Sequence, residues 1–185
     1  MMPPTPITLE PRPQQYYSPY RRTREPTWLD ALNSCIAKSK SKLTWKYEFK
    51  HETGNIATHI MTPVLTCIVH EQPGEDIQMH LRRAASTYSD AIEAAKSAVR
   101  SRLQVDGKVL VDFYGRVEDD GQANSHCRYK VVDISYTYRL DNWPVTECRS
   151  TGATKNAARQ NVARKLIESE TYCMFVRKSK RASRR

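Results

Sequence analysis

The sequence predicts an α+β fold with the element order α-β-β-β-α-β-β-β-α. Three segments begin with a threonine and continue with apolar residues three or four positions apart, which is typical of helices that pack on a core. The segments between these helices are rich in β-branched and aromatic residues, which is typical of strands. The second half also repeats landmark residues of the first, so we expect the order of elements to recur.

The chain opens with a proline-rich arm and a capped helix. Residues 1–26 carry most of the prolines and show no periodic apolar spacing, so they are predicted to be disordered. Thr27 is the expected N-cap of a helix over residues 27–40, with Asp30 in the capping-box position. The apolar face of this helix is formed by Trp28, Leu29, Leu32, Cys35 and Ile36.

Three strands and a second helix are predicted to complete the first half. The strands are expected at residues 43–50, 64–70 and 77–81, with the helix at 87–103. Pro73 and Gly74 form a turn between the last two strands. The helix is held inward by Ala91, Ala95, Val99 and Leu103.

The two halves are related by an offset of 67 residues (114 minus 47) that needs no gap. This offset aligns Tyr47 with Tyr114, Gly54 with Gly121, His59 with His126, Val64 with Val131, Arg82 with Arg149, Thr87 with Thr154 and Ala91 with Ala158. Seven matches in one frame indicate an internal duplication.

The second half has no room for an opening helix of its own. Residues 27–40 map onto 94–107, most of which already belong to the helix at 87–103, and a strand is predicted at 109–117. Two interpretations remain open. The middle helix either serves both sheets, or the second half lacks a helix.

The excess of positive charge lies mainly in the tails. The formal charge is +10 and the pI is about 9.5, but residues 106–170 carry as many acidic as basic residues. Within that neutral segment, the stretch from Thr154 to Ile167 has four basic residues and no acidic one. Local placement of charge therefore says more about a partner than the total does.

The most informative stretch is the predicted start of the last helix. Thr154 is its expected N-cap, Gly152 allows a turn before it, and Ala158 begins the apolar stripe. Lys155 and Arg159 lie one turn apart at this end, where free N–H groups and the helix dipole favour an anion. The pattern indicates a helix N-terminus that faces phosphate.

This stretch resembles a known family. Gly-x-Thr-Lys-Asn-x-Ala-Arg at 152–159 is similar to the start of the last helix of double-stranded-RNA-binding domains, which read Gly-x-Ser/Thr-Lys-Lys-x-Ala-Lys. It departs from that pattern at Asn156 and Arg159. The resemblance implies two α+β units with antiparallel three-stranded sheets packed on helices. These units are a degenerate one at 27–104 (α-β-β-β-α) and one with the better RNA-binding motif at 105–170 (β-β-β-α), followed by a basic tail at 171–185.

The resemblance also implies roles for individual residues. In the second unit, RNA would be contacted by Gly152, Thr154, Lys155, Asn156 and Arg159 at the helix start, and by Gln122 and His126 in the loop between the first two strands. In the first unit, Asn33 and His59 are weaker RNA-binding candidates. Tyr88 and Ile92 take the places of Lys155 and Arg159 there, so that helix is expected not to hold phosphate. Two interpretations stay open for these side chains: they form part of a protein-binding surface, or they pack inside.

The predicted function is non-catalytic, shape-selective binding of double-stranded RNA through the second unit. The alternative is a protein-interaction or dimerisation adaptor with little RNA affinity, because one lysine and one helix of the family pattern are missing. No catalytic residue, cofactor or metal is predicted, and five cysteines without a Cys-x-x-Cys pair suggest neither disulfides nor zinc.

No apolar leader and no long apolar run occur, which favours an intracellular protein with no membrane partner. The expected location is cytoplasmic or nuclear. Two roles stay open for the basic residues at 177–185, which would either raise affinity for nucleic acid without sequence specificity or serve as a nuclear signal.

Overall fold

The computed structural model describes residues 16–52, 54, 56–119 and 126–177. Within these ranges the helices are α1 (Trp28–Ser39), α2 (Glu75–Leu81), α3 (Tyr88–Val105) and α4 (Lys155–Glu168), with a 3-10 turn at Thr146–Cys148. The strands are β1 (Tyr16–Pro19), β2 (Lys42–Glu52), β3 (Ile56–Glu71), β4 (Ala84–Ala85), β5 (Val109–Asp119), β6 (Tyr129–Pro144), β7 (Ser150–Gly152) and β8 (Met174–Arg177).

Six of these strands form one antiparallel sheet. Its centre is the pair β3 and β6, which are the two longest strands and run side by side from Val64–Pro144 to Glu71–Tyr136. The hairpin partner β2 lies on the outer side of β3, and β5 lies on the outer side of β6. Strands β1 and β8 form a separate two-stranded ribbon.

The short strands β4 and β7 are exchanged between the two halves. Strand β4 follows β3 in the chain but pairs with β6, through Ala84–Lys130 and Ala85–Tyr129. Strand β7 follows β6 but pairs with β3, from His59–Gly152 to Met61–Ser150. The strand group β2-β3-β7 therefore combines residues from both halves of the chain.

The helices follow the exchanged strands. Helix α4 packs on β7, β3 and α1, whereas α3 packs on β4, β5 and β6. Of the two interpretations left open by the sequence, the packing favours the second. The middle helix covers the β4-β5-β6 side, and that side has no opening helix of its own in the part of the chain that the structure describes.

One hydrophobic core joins both groups. Its residues include Leu32 and Cys35 from α1, Leu65 and Val69 from β3, and Leu166 from α4, all at most 1% exposed. From the β4-β5-β6 side, the same core takes Ala91, Ala95, Val99, Leu103, Val131, Ile134, Tyr136 and Tyr138. Because the sheet is continuous, the helix-facing side of its central strands β3 and β6 is buried as a single layer.

The α+β class, the antiparallel strands and the helices predicted at 27–40, 87–103 and after Thr154 are confirmed. The expected caps Thr27 and Thr154 are also confirmed, since each side chain accepts a hydrogen bond from the backbone N–H three residues later, and Thr87 caps α3 in the same way. The two separate three-stranded sheets are not found. The reason is that the C-terminal halves of β3 and β6 pair with each other, from Val64–Pro144 to Glu71–Tyr136, and join the two halves of the chain in one sheet.

Two local predictions are wrong. Residues 77–81, predicted as a strand, lie in helix α2, whose first turn carries Glu75 and Asp76 where the helix dipole favours acidic residues. Residues 16–26 were predicted as part of a disordered arm, but Tyr16–Pro19 form β1 and Tyr20 is only 4% exposed. Residues 1–15 of that arm and the basic residues 178–185 lie outside the described part of the chain.

The gapless offset of the two halves holds for some elements and fails for others. It relates β2 to β5 and the start of α3 to the start of α4, but the two hairpins close differently. Glu52 pairs with Ile56 in the first, and Asp119 pairs with Tyr129 in the second. His126 therefore precedes β6, whereas His59 lies inside β3. No helix in the described ranges is long and apolar enough to cross a membrane.

Candidate nucleic-acid interface

The N-terminus of α4 is held by a side-chain cap. Thr154 is extended, and its hydroxyl oxygen accepts a hydrogen bond of 3.0 Å from the backbone N–H of Ala157. The first turn contains no acidic residue and begins with Lys155. The partial positive charge of the helix end is therefore not compensated within its own first turn.

Gly152 is required by a close approach of two backbones. A Cβ atom at this position would lie 2.4 Å from the backbone nitrogen of Ala158 and 2.8 Å from the carbonyl carbon of Ala157. The absence of a side chain lets β7 lie directly against the first turn of α4. Sequence reasoning gave Gly152 a role in turning the chain, and the structure gives it a role in helix–strand packing.

Lys155 and Arg159 reach from α4 over the aromatic side chains of the edge strand β2. The Nζ atom of Lys155 lies 4.4 Å from the centre of the Tyr47 ring, and Cζ of Arg159 lies 5.8 Å from the centre of the Trp45 ring. Both are cation–π contacts, which leave the charged groups available to an anion.

Neither of these two cations is neutralised by an acidic side chain among the described residues. Other basic residues nearby are paired, since Arg149 bonds Glu48 over 2.7 Å and Arg164 bonds Glu168 over 2.9 Å. The Nε atom of Arg159 is buried and makes no hydrogen bond among the described residues, so a contact with an anion falls to the other nitrogens of the guanidinium group. Lys155 and Arg159 are therefore the cations at this helix end that remain open to a ligand.

A cluster of rings borders these cations. The hydroxyl of Tyr47 and Nδ1 of His59 form a hydrogen bond of 2.8 Å, and their rings stack at 5.8 Å with an angle of 21°. The Phe49 ring lies 5.1 Å from that of His59. We call Tyr47, Phe49 and His59 the aromatic platform. Sequence reasoning missed Tyr47 and Phe49 as site residues, although the alternation of Trp45, Tyr47 and Phe49 was a readable signal.

The strand exchange decides which predicted site residues come together. Lys155, Arg159 and Asn156 lie on α4, in the group formed with α1 and the β2-β3 hairpin. That group also contains Asn33, exposed on α1, and His59, which pairs with Gly152. The weaker candidates of the first half thus join the stronger candidates of the second.

His126 lies with the other group. It is exposed and lies just before β6. The first residues of β6 pair with β4, the strand that precedes α3. Gln122, its predicted partner in the loop, lies outside the described residues. The structure therefore does not place His126, the loop candidate of the second half, in the group of elements that contains α4.

The two protein-interaction candidates on α3 differ in burial. Tyr88 is 46% exposed, whereas Ile92 is partly buried and packs against the core. The first turn of α3 carries Asp90, where α4 has no acidic residue. A phosphate group is accordingly less favoured at the start of α3 than at the start of α4.

Comparison of the chain with protein-family models, with curated proteins and with solved structures found no match.

Proposed function

We propose that this chain binds double-stranded RNA without acting on it chemically, through the group α1, β2, β3, β7 and α4. In this proposal, Lys155 and Arg159 hold backbone phosphates at the capped start of α4. Gly152, Thr154 and Asn156 shape that helix end. Asn33 on α1 and His59 on β3 contact the minor grooves on either side.

The observation that carries the proposal is the pair of unneutralised cations at a capped helix N-terminus. Lys155 and Arg159 have no acidic partner among the described residues and stand over rings instead of carboxylates. A helix N-terminus with free N–H groups and two cations matches phosphate in charge and geometry. The resemblance of residues 152–159 to double-stranded-RNA-binding domains gives the proposal its choice of nucleic acid.

A second candidate function rests on α3. The exposed Tyr88 and the acidic Asp90 at its start suit a protein partner better than phosphate. In this reading the chain is an interaction or dimerisation adaptor with little affinity for RNA. The two functions are compatible, because α3 and α4 cover different parts of the sheet.

Duplex RNA, duplex DNA and single-stranded RNA of equal length, titrated by fluorescence anisotropy, test the first function. A site with few phosphate contacts should bind duplex RNA in roughly the micromolar range at low salt. The double variant Lys155→Glu/Arg159→Glu is expected to lose this binding. Arg100→Glu/Arg102→Glu, at two exposed cations of α3, serves as the matched control because it makes the same change in total charge without touching α4.

Equal binding by the wild type and the Lys155→Glu/Arg159→Glu variant would overturn the RNA proposal. The adaptor function is checked by sedimentation and by crosslinking through a photoreactive residue at position 88. A monomer that crosslinks to no protein there would argue against it.

A further inference from the structure

The aromatic platform lies on the helix-facing side of β2, at an open edge of the sheet. Tyr47 pairs directly with Met61, which is 1% exposed in the core, so both residues belong to the same face. Tyr47 and Phe49 lie beyond the cover of the helices and are 39% and 46% exposed. Among the described strands, β2 pairs only with β3.

Hairpin stability explains part of this arrangement. Phe49 and His59 are directly opposed in the register, and aromatic cross-strand pairs stabilise a sheet. That role uses the sides of the rings that face each other. Because Lys155 lies over the Tyr47 ring, it is mainly Phe49, 46% exposed, that leaves apolar surface to the solvent, where a large apolar group is unfavourable unless a partner covers it.

The charge around the platform selects the kind of partner. The residues of β2 that alternate on this face are Leu43, Trp45, Tyr47, Phe49 and His51, and none is acidic. Lys155 lies 4.4 Å from the Tyr47 ring, and the first turn of α4 is also free of acidic residues. A partner that fits must offer a flat ring and a negative charge close together. A nucleotide of a single strand does so, because its base stacks and its phosphate pairs with a cation.

We infer that the aromatic platform binds unpaired nucleotides that adjoin a duplex, with a base stacked on Phe49 and the adjacent phosphate near Lys155, which the Tyr47 ring holds in place. This inference rests on the proposed RNA binding and names the form of RNA that suits the site: a duplex with a single-stranded overhang. Lys155 then lies at the junction between the duplex and the unpaired strand.

The test uses the full chain and three RNA probes. One is a blunt duplex of about 20 base pairs, longer than the roughly 16 that such a shape-reading domain spans. The second is the same duplex with a 3′ overhang of about three nucleotides that carries 2-aminopurine, and the third is the isolated overhang strand. Anisotropy gives the affinity, and 2-aminopurine quenching reports stacking of the unpaired base.

Phe49→Leu is the informative variant, because leucine keeps apolar contact with His59 but removes the flat ring. Tyr47 is less suitable, since its ring also positions Lys155. Tyr114→Leu is the matched control, as Tyr114 is the offset counterpart of Tyr47 on β5 and is 52% exposed. Circular dichroism of each variant checks that the sheet is retained.

The overhang is expected to raise the affinity by about 5- to 100-fold over the blunt duplex. The fluorescence of its 2-aminopurine is expected to be quenched on binding. In Phe49→Leu the overhang duplex should bind no more tightly than the blunt duplex measured on the same variant, and the quenching should be lost, while Tyr114→Leu should retain both effects. If the blunt duplex binds through Lys155 but the overhang adds nothing, the inference is wrong and the proposed function stands.

Two other outcomes separate the inference from the proposed function. Binding and quenching of the isolated strand that depend on Phe49, without any duplex binding, would support the platform and overturn the duplex proposal. A lack of binding to all three probes would overturn both.

Discussion

The backbone N–H of Leu29 donates a hydrogen bond of 3.0 Å to Oε1 of Gln160, which lies 131 residues further along the chain. Leu29 is in the first turn of α1, and Gln160 is in α4. The bond ties the first helix of one half to the last helix of the other. It accompanies the pairing of β7 with β3, so the helix and strand contributed by the second half act together.

The exchange predicts that neither half folds as an independent domain. A fragment of residues 16–104 lacks α4, whose Val162 and Leu166 are fully buried in the shared core. Losing two such side chains removes about 3–6 kcal/mol of burial, which is comparable to the whole stability of many domains. We expect no cooperative thermal transition for 16–104 alone, and restoration when residues 105–177 are added.

Circular dichroism and size-exclusion chromatography of the two fragments, separately and mixed, provide the measurement. A fragment of residues 16–149 serves as the control, because it retains both long hairpins and still lacks β7 and α4. Cooperative unfolding of 16–104 by itself would contradict the exchange.

Salt dependence distinguishes phosphate contacts from other effects of charge. Each phosphate contact in a duplex contributes about 0.9 to the slope of log affinity against log salt concentration. Lys155→Ala should therefore lower that slope by about one, and Lys155→Ala/Arg159→Ala by about two. Arg100→Ala should leave it unchanged. Anisotropy titrations at several salt concentrations measure the slopes, and parallel lines for the wild type and Lys155→Ala would show that Lys155 touches no phosphate.

Local signals in the sequence were sufficient for most helices and strands. Thr27, Thr87 and Thr154 each mark a helix start because a hydroxyl that accepts from an early N–H is a short-range feature. Strands β2 and β5 are recognisable from their composition alone. Residues 77–81 were predicted wrongly because a short apolar run is compatible with either a strand or a helix.

Strand pairing could not be predicted in the same way. Strands β4 and β7 contain two and three residues, so their composition does not say which long strand they join. The choice depends on contacts between distant parts of the chain, such as His59 with Gly152. The offset of 67 residues correctly relates the starts of α3 and α4 but predicts the wrong partners for them. For the same reason, the grouping of Lys155 with Asn33 and the aromatic platform was not visible in the sequence.

Gly152 provides a direct test of the packing of β7 against α4. In Gly152→Ala the new methyl group would lie 2.4 Å from the Ala158 nitrogen, so the helix start or the strand must move. Overpacking of this kind costs about 1–3 kcal/mol of the free energy of unfolding. Gly74→Ala is the control, since nothing lies within 4 Å of its Cβ position and its φ of −59° is ordinary.

Urea denaturation followed by tryptophan fluorescence measures the difference between these two glycine variants. We expect Gly74→Ala to change the free energy of unfolding by less than about 1 kcal/mol. RNA affinity should fall in Gly152→Ala as well, because the cations at the helix start would be displaced. A Gly152→Ala protein as stable as the wild type would show that β7 and α4 do not approach this closely.

His70 predicts how the stability of the fold depends on pH. Burial lowers the pKa of His70, its Nδ1 atom is buried without a hydrogen-bond partner in the described ranges, and its ring stacks on that of Tyr17 at 4.6 Å and 6°. The folded protein therefore favours the neutral imidazole, while the unfolded chain takes up a proton near pH 6.5. The unfolded state binds more protons below that pH, so stability is fully present above about 6.5 and is lost as the pH falls through the lower folded pKa.

In His70→Phe, which retains a ring for Tyr17, this part of the acid sensitivity should disappear. Urea unfolding at pH values from about 7.5 to 5 measures it. The control is His80→Gln, an exposed histidine of α2, and the variant should follow the wild type. Parallel stability curves for the wild type and His70→Phe over this range would rule out His70 as the source of acid sensitivity.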